Sequence, residues 1–402
     1  MTAGPAPLEG VRVLDLSTMI AGPYCAAILG EFGAEVLKVE LPGVGDPARR
    51  FGAMTPVGNS YLWLSEARNK KSITLDLRKP KGAAVLRRLI AQSDIVVENF
   101  MPGTLEGWGL GYEAMKAITP GIVVVRITAY GQTGPYIDRP GYARVAQAFA
   151  GLSYLAGESG RMPVTAGSTS LADYFTGMYG ALGGLLAYIS RLRHGTTGQY
   201  VDIGLYEGIL RILDEMASVY AATGFVRERM GGDIPGAVPH GHFQTSDGHW
   251  IALACSTDKM WERMARAMGR PDLAEPARFA TTAQRVAARE EVNRIVGAFI
   301  AGVPRDDLLA HLLRFEVPAG PINSIADVFA DPQVRARENL VEIDTPHDGR
   351  IVVPNVLPRL SETPGRIDTP GPDLGEHNDE IYRVRLGLSA DEMDELRRDG
   401  VI

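Results

Sequence analysis

Only two cysteines, Cys25 and Cys255, occur in the 402 residues of the chain, and neither lies in a Cys-x-x-Cys pair. That scarcity removes a disulfide framework and a thiolate zinc site from consideration and fits a reducing compartment. Histidine is also sparse, at 7 residues. His240 and His242 flank Gly241, but no HExxH or other metal-ligand spacing accompanies them, so no metal is expected. Without a GxSxG elbow or a Walker A run, serine hydrolase and P-loop kinase chemistry have no anchor. The most apolar stretch, Met178 to Ile189, falls short of the roughly 20 residues that span a bilayer. The N-terminal MTAGPAPLEG lacks the basic-then-apolar pattern of a secretory signal. Positive charge is not in excess either. The formal net charge of -7 gives no reason to expect nucleic acid or an anionic membrane as partner. These absences point to a cytoplasmic protein of ordinary composition, 45% hydrophobic and 22% charged. Its length suits two or three domains.

What is present in the first 130 residues is an alternation of strand and helix signals. Val11–Leu16, Glu35–Glu40, Ser72–Leu77, Asp94–Glu98 and Gly121–Ile127 read as short, β-branched strands. Helices are expected from about Pro23 to Phe32 and from Pro80 to about Gln92, with Pro80 in a first turn. Such an order predicts an α/β fold with a parallel sheet covered on both faces. Thr169–His194 reads as one long helix closed by Gly195. Its glycines at 177, 180, 183 and 184 permit close approach of another helix or of a ligand.

Composition shifts near Phe225. A loop at Arg227–Pro235 leads to a hairpin, His242–Thr245 with Trp250–Ala254, and then to helices at Lys259–Met268, Thr282–Ala301 and Pro304–Phe315. This α+β order marks a second, smaller domain, with Val317–Pro321 as a linker. The expected division is 1–225, 226–325 and 326–402. The last segment, rich in Pro, Gly and Asp, is too poor in apolar residues to form a core alone and is expected to return to the large domain.

Three sequence features carry chemistry. Ser17–Pro23 joins the first strand to the first helix, a natural place for phosphate. Glu40 stands 18 residues after Gly22, about where a dinucleotide fold carries its ribose-binding acid, but no GxGxxG precedes it. Asn99 and Phe100 follow a strand end directly, and Arg78 and Lys79 follow another. The third feature is Asp173, at the start of the long helix. A carboxylate there serves as a helix cap, or as a nucleophile toward an acyl group. In either role the helix N-terminus would favour its anion.

In order along the chain stand Val13-Leu14-Asp15-Leu16 with Ala21-Gly22-Pro23, Gly33–Glu40, Asn69–Ile73 with Leu75-Asp76-Leu77, Val97–Phe100 with Pro102-Gly103, Arg139–Tyr142 with Ala146–Ala148, Leu171-Ala172-Asp173 and Val317–Pro321. With this series the chain resembles the family III CoA-transferases, the formyl-CoA and carnitine CoA-transferase (CaiB/BaiF) group, over nearly its whole length. The resemblance implies a doubly wound large domain with a smaller α+β domain, and an interlocked homodimer. It implies no permanently bound cofactor, with coenzyme A or acyl-CoA as substrate and a carboxylic acid as acceptor. It makes Asp173 the nucleophile, acting through an aspartyl–acyl anhydride and an aspartyl-CoA thioester. Met19, Ala21, Leu75, Arg78, Asn99, Phe100 and Met101 are then expected to line the CoA site. Tyr142 and Arg144 are expected near the substrate, and Gly231 and Gly232 fall where the family has a mobile glycine loop.

The chain also departs from that pattern. Several relatives have a basic CoA contact at the position of Gly107. Ile20 and Leu41 replace polar or charged contacts of formyl-CoA transferase, and many relatives carry an acid at the position of Ala143. The same fold includes α-methylacyl-CoA racemases, which the resemblance would give a histidine at Tyr142. Tyrosine, with a pKa of about 10, is a poor base at neutral pH. A CoA-binding protein without turnover is the third reading, and the intact Asp173 stands against it. The acid pair is expected to include dicarboxylates such as succinate, with Arg144 or His240 available for a second carboxylate.

Overall fold

The computed structural model describes residues 4–402, so Met1–Ala3 of the N-terminal stretch lie outside the described residues. The chain divides into two compact units. The first comprises residues 4–152, 167–222 and 335–402, and the second 153–166 and 223–334.

The first unit is built on six parallel strands: β1 (Arg12–Asp15), β2 (Glu35–Glu40), β3 (Lys70–Thr74), β4 (Ile95–Glu98), β5 (Val123–Thr128) and β6 (Tyr200–Gly204). Their order is β3-β2-β1-β4-β5-β6, and every pairing is parallel. Helices α1 (Ala21–Glu31), α2 (Pro80–Ile90), α3 (Thr104–Gly107), α4 (Ala143–Phe149) and α5 (Leu171–His194) lie between strands. Successive strand residues alternate between two cores. Leu14, Leu37, Val96 and Val124 pack with α2 on one face, whereas Val13, Val36, Val97 and Val125 pack with α1 and α5 on the other. A sheet buried on both faces explains the near-continuous Val/Ile/Leu runs. The expected α/β architecture with a doubly wound parallel sheet is therefore present. Strand β6 was not visible in the sequence, because Tyr200-Val201-Asp202 interrupts the apolar run that marked the others.

The glycines of α5 have a packing role. A Cβ at Gly177 would stand 2.8 Å from the Ala21 carbonyl oxygen and 2.9 Å from the Tyr24 ring. The stripe lets α5 lie directly on α1, with Tyr24 and Tyr174 edge to face at 4.9 Å. Because α5 connects β5 to the parallel β6, it runs from the carboxyl edge of the sheet back to the amino edge. Arg191, in its last turn, confirms the direction by pairing with Asp94 at 2.6 Å and donating to the Gly121 carbonyl at 2.8 Å. The first turn, with Asp173, consequently lies at the carboxyl edge.

In the second unit, β7 (His240–Gln244), β8 (Trp250–Ala254) and β9 (Ala319–Pro321) form an antiparallel sheet in the order β7-β8-β9. Helices α6 (Asp258–Ala267), α7 (Thr282–Ala287), α8 (Arg289–Ile300) and α9 (Arg305–Arg314) accompany it, and Trp261, Met264, Val292, Val296, Leu308 and Leu312 fill its core. Two expectations are corrected here. The single helix over Thr282–Ala301 is two, divided at Ala288, whose φ of -108° and ψ of 31° leave the helical region. Val317–Pro321 is no free linker, since Ala319–Pro321 pairs with β8.

Of the last segment, residues 335–402 belong to the first unit and 326–334 to the second. Hairpin β10 (Leu340–Thr345) and β11 (Gly349–Pro354) packs Ile351 and Val353 on Leu64. Residues beyond it run along the outer edge of β3. The Asn378 side chain exchanges two bonds of 2.9 Å with Thr74, the Tyr382 hydroxyl donates to the Thr74 carbonyl at 2.6 Å, and Asp76 N–H donates to the Val401 carbonyl at 2.8 Å. These groups occupy an edge that would otherwise be exposed. Helix α10 (Ala390–Arg398) follows, opened by a Ser389–Glu392 capping box.

Candidate active site

The strand order reverses between β1 and β4. In open α/β sheets the crevice at such a switch point, outside the carboxyl ends, is where ligands bind. Here the two strand ends are tied together. Asn99 Oδ1 accepts from Thr18 N–H and its Nδ2 donates to the Thr18 carbonyl, both at 2.8 Å. Helix α1 then opens at Ala21 with no side-chain cap, leaving first-turn N–H groups available to an anion. Gly22 is required in this turn, because a Cβ there would collide with the Ser17 side chain.

Of the residues expected to line a CoA site, Met19, Ala21, Asn99, Phe100 and Met101 stand together at this switch point. Met19 has an unusual φ of 68°. Phe100 packs edge-on against Trp108 at 5.3 Å, and its N–H donates to Glu98 at 2.9 Å. Leu75 is buried just beyond β3. Arg78 is already engaged, with Nε and one Nη on the Asp76 carboxylate at 2.8 and 2.9 Å. Beside Met101, Pro102, Gly103, Glu106, Arg126 and Gln132 line a cavity of about 530 Å³. Gln132 Nε2 is buried there without a hydrogen-bond partner among the described residues. Gly107 is exposed at the end of α3, with nothing within 4 Å of where a Cβ would be.

Asp173 occupies the third position of α5. Ser170 is the N-cap, and no side chain caps the helix. The cap reading of Asp173 is thereby overturned. Among the described residues its half-buried carboxylate has no hydrogen-bond or ion-pair partner, and burial pushes its pKa up to about 6. That is opposite in direction to the stabilised anion expected from the helix end alone, because desolvation outweighs the dipole. At pH 7 the group is still ionised by roughly ten to one. It is a poorly solvated anion, which is what a carboxylate nucleophile requires.

Tyr142 precedes α4 and is 74% exposed. Arg144, in the first turn of α4, is exposed and without an ion pair or hydrogen bond among the described residues. Ala143 between them is buried in the core beneath α5. Gly231 and Gly232 belong to the second unit. Gly231 has a φ of 64° and donates to the Gly157 carbonyl at 2.9 Å. Gly232 lies against the His242 ring, and both line a pocket of about 290 Å³ with His240, Gly241 and Ala319.

Sequence reasoning missed the network of buried charges beneath the site, and of its members weighed only Glu40, as a ribose contact. Lys38, Lys70, Asp15, Asp46 and Glu40 are all buried. Lys70 pairs with Asp15 at 2.9 Å, and Lys38 with Asp46 at 2.9 Å and Asp15 at 3.7 Å. Burial pulls the Lys38 ammonium down, but Asp15, Asp46 and Glu40 more than offset it and raise its pKa. Glu40 is held by Arg49 through two bonds of 2.7 Å and by Ser72 at 2.6 Å, so it is not available to a ribose. The available signal was the pair of charges inside the apolar strand Glu35–Glu40.

Comparison with known proteins accounts for this arrangement. The model of CoA-transferase family III matches residues 8–378. The alpha subunit of succinyl-CoA--L-malate CoA-transferase from Chloroflexus aurantiacus is 50% identical over 98% of this chain and 92% of its own. Succinyl-CoA--D-citramalate CoA-transferase from the same organism is 42% identical over 99% and 98%. A crystal structure of a CAIB/BAIF family protein from Brucella suis superposes with a TM-score of 0.82 at 37% identity, covering 95% of this chain and 100% of that one. A six-stranded sheet with an open switch point, an unpaired carboxylate at its carboxyl edge and a family match over nearly the whole length lead to one assignment: the chain is a CoA-transferase and belongs to CoA-transferase family III.

Proposed function

We propose that the enzyme carries CoA from succinyl-CoA to a C4–C5 dicarboxylic acid, with Asp173 as the covalent relay. The half-buried, unpaired Asp173 carboxylate at the carboxyl edge of the sheet carries this reading. Its oxygen attacks the thioester carbonyl, giving an aspartyl–acyl anhydride and releasing CoA thiolate. The thiolate attacks the aspartyl carbonyl, which forms the aspartyl-CoA thioester and frees succinate. The acceptor carboxylate then attacks that thioester, and the returning thiolate takes the acceptor's acyl group and restores Asp173. No step needs a redox partner, and each exchanges bonds of similar energy.

CoA enters this scheme at the β1–β4 switch point, against Met19, Ala21, Asn99, Phe100 and Met101, with Leu75 and Arg78 on its flank. Tyr142 precedes α4 and Arg144 lies in its first turn, and α4 packs on the same core as α5. The hydroxy diacids named for the two Chloroflexus relatives are the first acceptors to test. A second copy of the chain is the partner. Met178, Leu182, Leu186 and Ile189 form an exposed apolar stripe along α5, at the helical spacing of a packed face. Light scattering that returned a monomer at micromolar concentration would remove the dimer from the proposal.

The chemistry is tested by incubating the enzyme with succinyl-CoA and a panel of carboxylates and resolving new CoA thioesters by chromatography. Asp173→Ala is expected to abolish transfer and retain CoA binding. Normal transfer by that variant would refute the relay. Deuterium exchange at the α-carbon of a branched acyl-CoA without any acceptor would point to a racemase instead.

A further inference from the structure

The turn that leads into α1 is held by side chains from three other places in the fold. Lys38, from β2, donates its ammonium to the Ser17 carbonyl. Asn99, after β4, bridges both backbone groups of Thr18 at 2.8 Å. Asp46, from the loop after β2, accepts Met19 N–H on Oδ1 at 3.0 Å and Ala48 N–H on the same oxygen at 2.9 Å. Its other oxygen, Oδ2, lies 2.9 Å from Lys38 Nζ, a charge-assisted contact between a buried carboxylate and a buried ammonium. Three consecutive residues are thus gripped through their backbone, and the strained one is last. Met19 sits at φ 68°, a region that a residue with a long side chain seldom adopts.

We propose that Asp46, anchored by Lys38, is a positioning residue for CoA, holding Met19 in its left-handed conformation so that the β1–α1 turn is preformed for the nucleotide. The inference rests on the placement of CoA at the switch point. Free of Asp46, Met19 would relax toward negative φ. The N–H groups at the head of α1 would then lose their fixed aim, and the ordering would have to be supplied at each binding event. Asp46 and Lys38 are buried away from solvent, so their hold on Met19 shapes the site without occupying it.

The test is a double-mutant cycle read by CoA binding in calorimetry and by the KM for succinyl-CoA and for the acceptor. Asp46→Asn keeps an acceptor for Met19 N–H and removes the charge that Lys38 holds. Asp46→Glu keeps the charge and displaces the acceptor, so it preserves the buried ion pair if the first variant does not fold. Each is made alone and together with Met19→Gly, which tolerates positive φ without restraint. In the Met19 background each Asp46 variant is expected to weaken CoA binding about tenfold, the worth of one hydrogen bond to a charged group, and to leave the acceptor KM unchanged. In the Met19→Gly background the loss should shrink to about threefold or less. Unaltered CoA affinity in a folded Asp46 variant, or an equal loss in both backgrounds, overturns the inference. A wild-type protein that does not bind CoA overturns the CoA placement itself, a separate result.

Discussion

Replacing Asp173 by asparagine should make the protein more stable while it destroys activity. Burial raises the carboxyl from the ordinary 3.8 to about 6. An acid whose folded pKa lies above its unfolded value stabilises the fold most when protonated. That contribution is complete below about pH 4 and is lost as pH rises through the folded value. A rise from 3.8 to about 6 corresponds to about 3 kcal/mol at most. The carboxylate is only half-buried, so solvent screening reduces the working figure to about 1–2 kcal/mol. Asparagine has the size of the protonated acid and no charge to desolvate. The variant should therefore match wild type near pH 3.5 and exceed it at pH 7.5, by a melting shift of about 2 °C for a chain of this length. Thermal scans of both proteins across that range, at one protein concentration, provide the assay. A helix cap predicts no such gain, because asparagine caps a helix about as well as aspartate. A difference that stays constant with pH, or a variant less stable at pH 7.5, would refute the reasoning.

Other outcomes follow from the same geometry. The rate of CoA transfer should fall as pH drops through about 6, where Asp173 becomes protonated, and a rate profile between pH 5 and 8 checks this. Gly107→Arg introduces a cation into open space and should lower the KM for succinyl-CoA by about two- to fivefold, within the range of exposed ion pairs; an unchanged KM would mean that CoA does not pass α3. Gly177→Val forces methyl groups into the Ala21 carbonyl and the Tyr24 ring and should cost about 1–3 kcal/mol, measurable as a lowered melting temperature. Tyr382→Phe deletes one buried bond to Thr74 and should cost about 1 kcal/mol by the same measurement.

The sheet was largely legible in the sequence because its strands are buried on both faces and short β-branched runs mark them. β6 escaped for lack of such a run. Ala319–Pro321 read as a linker because proline and glycine dominate it, yet an edge strand of three residues accommodates both. Within the site, Asp173 was visible as a carboxylate opening a helix. The direction of its pKa was not, because it depends on what α1 and the rest of α5 exclude from around it. Lys38 and Asp46 were invisible as a pair, since eight residues of chain separate them and only the fold closes the distance. Arg78 was legible as a cation just after a strand end, but its pairing with Asp76, two residues away, was not.

The bonds from Asn378, Tyr382 and Val401 to Thr74 and Asp76 have a consequence for biosynthesis. During translation β3 emerges about 300 residues before the groups that occupy its outer edge. At typical elongation rates of 5–20 residues per second that interval is roughly 15–60 s. The nascent sheet must pass it with one flank open to pairing with a neighbouring chain. Completion of the first unit thus waits for contacts of large sequence separation, the situation in which folding is slow and helper proteins matter.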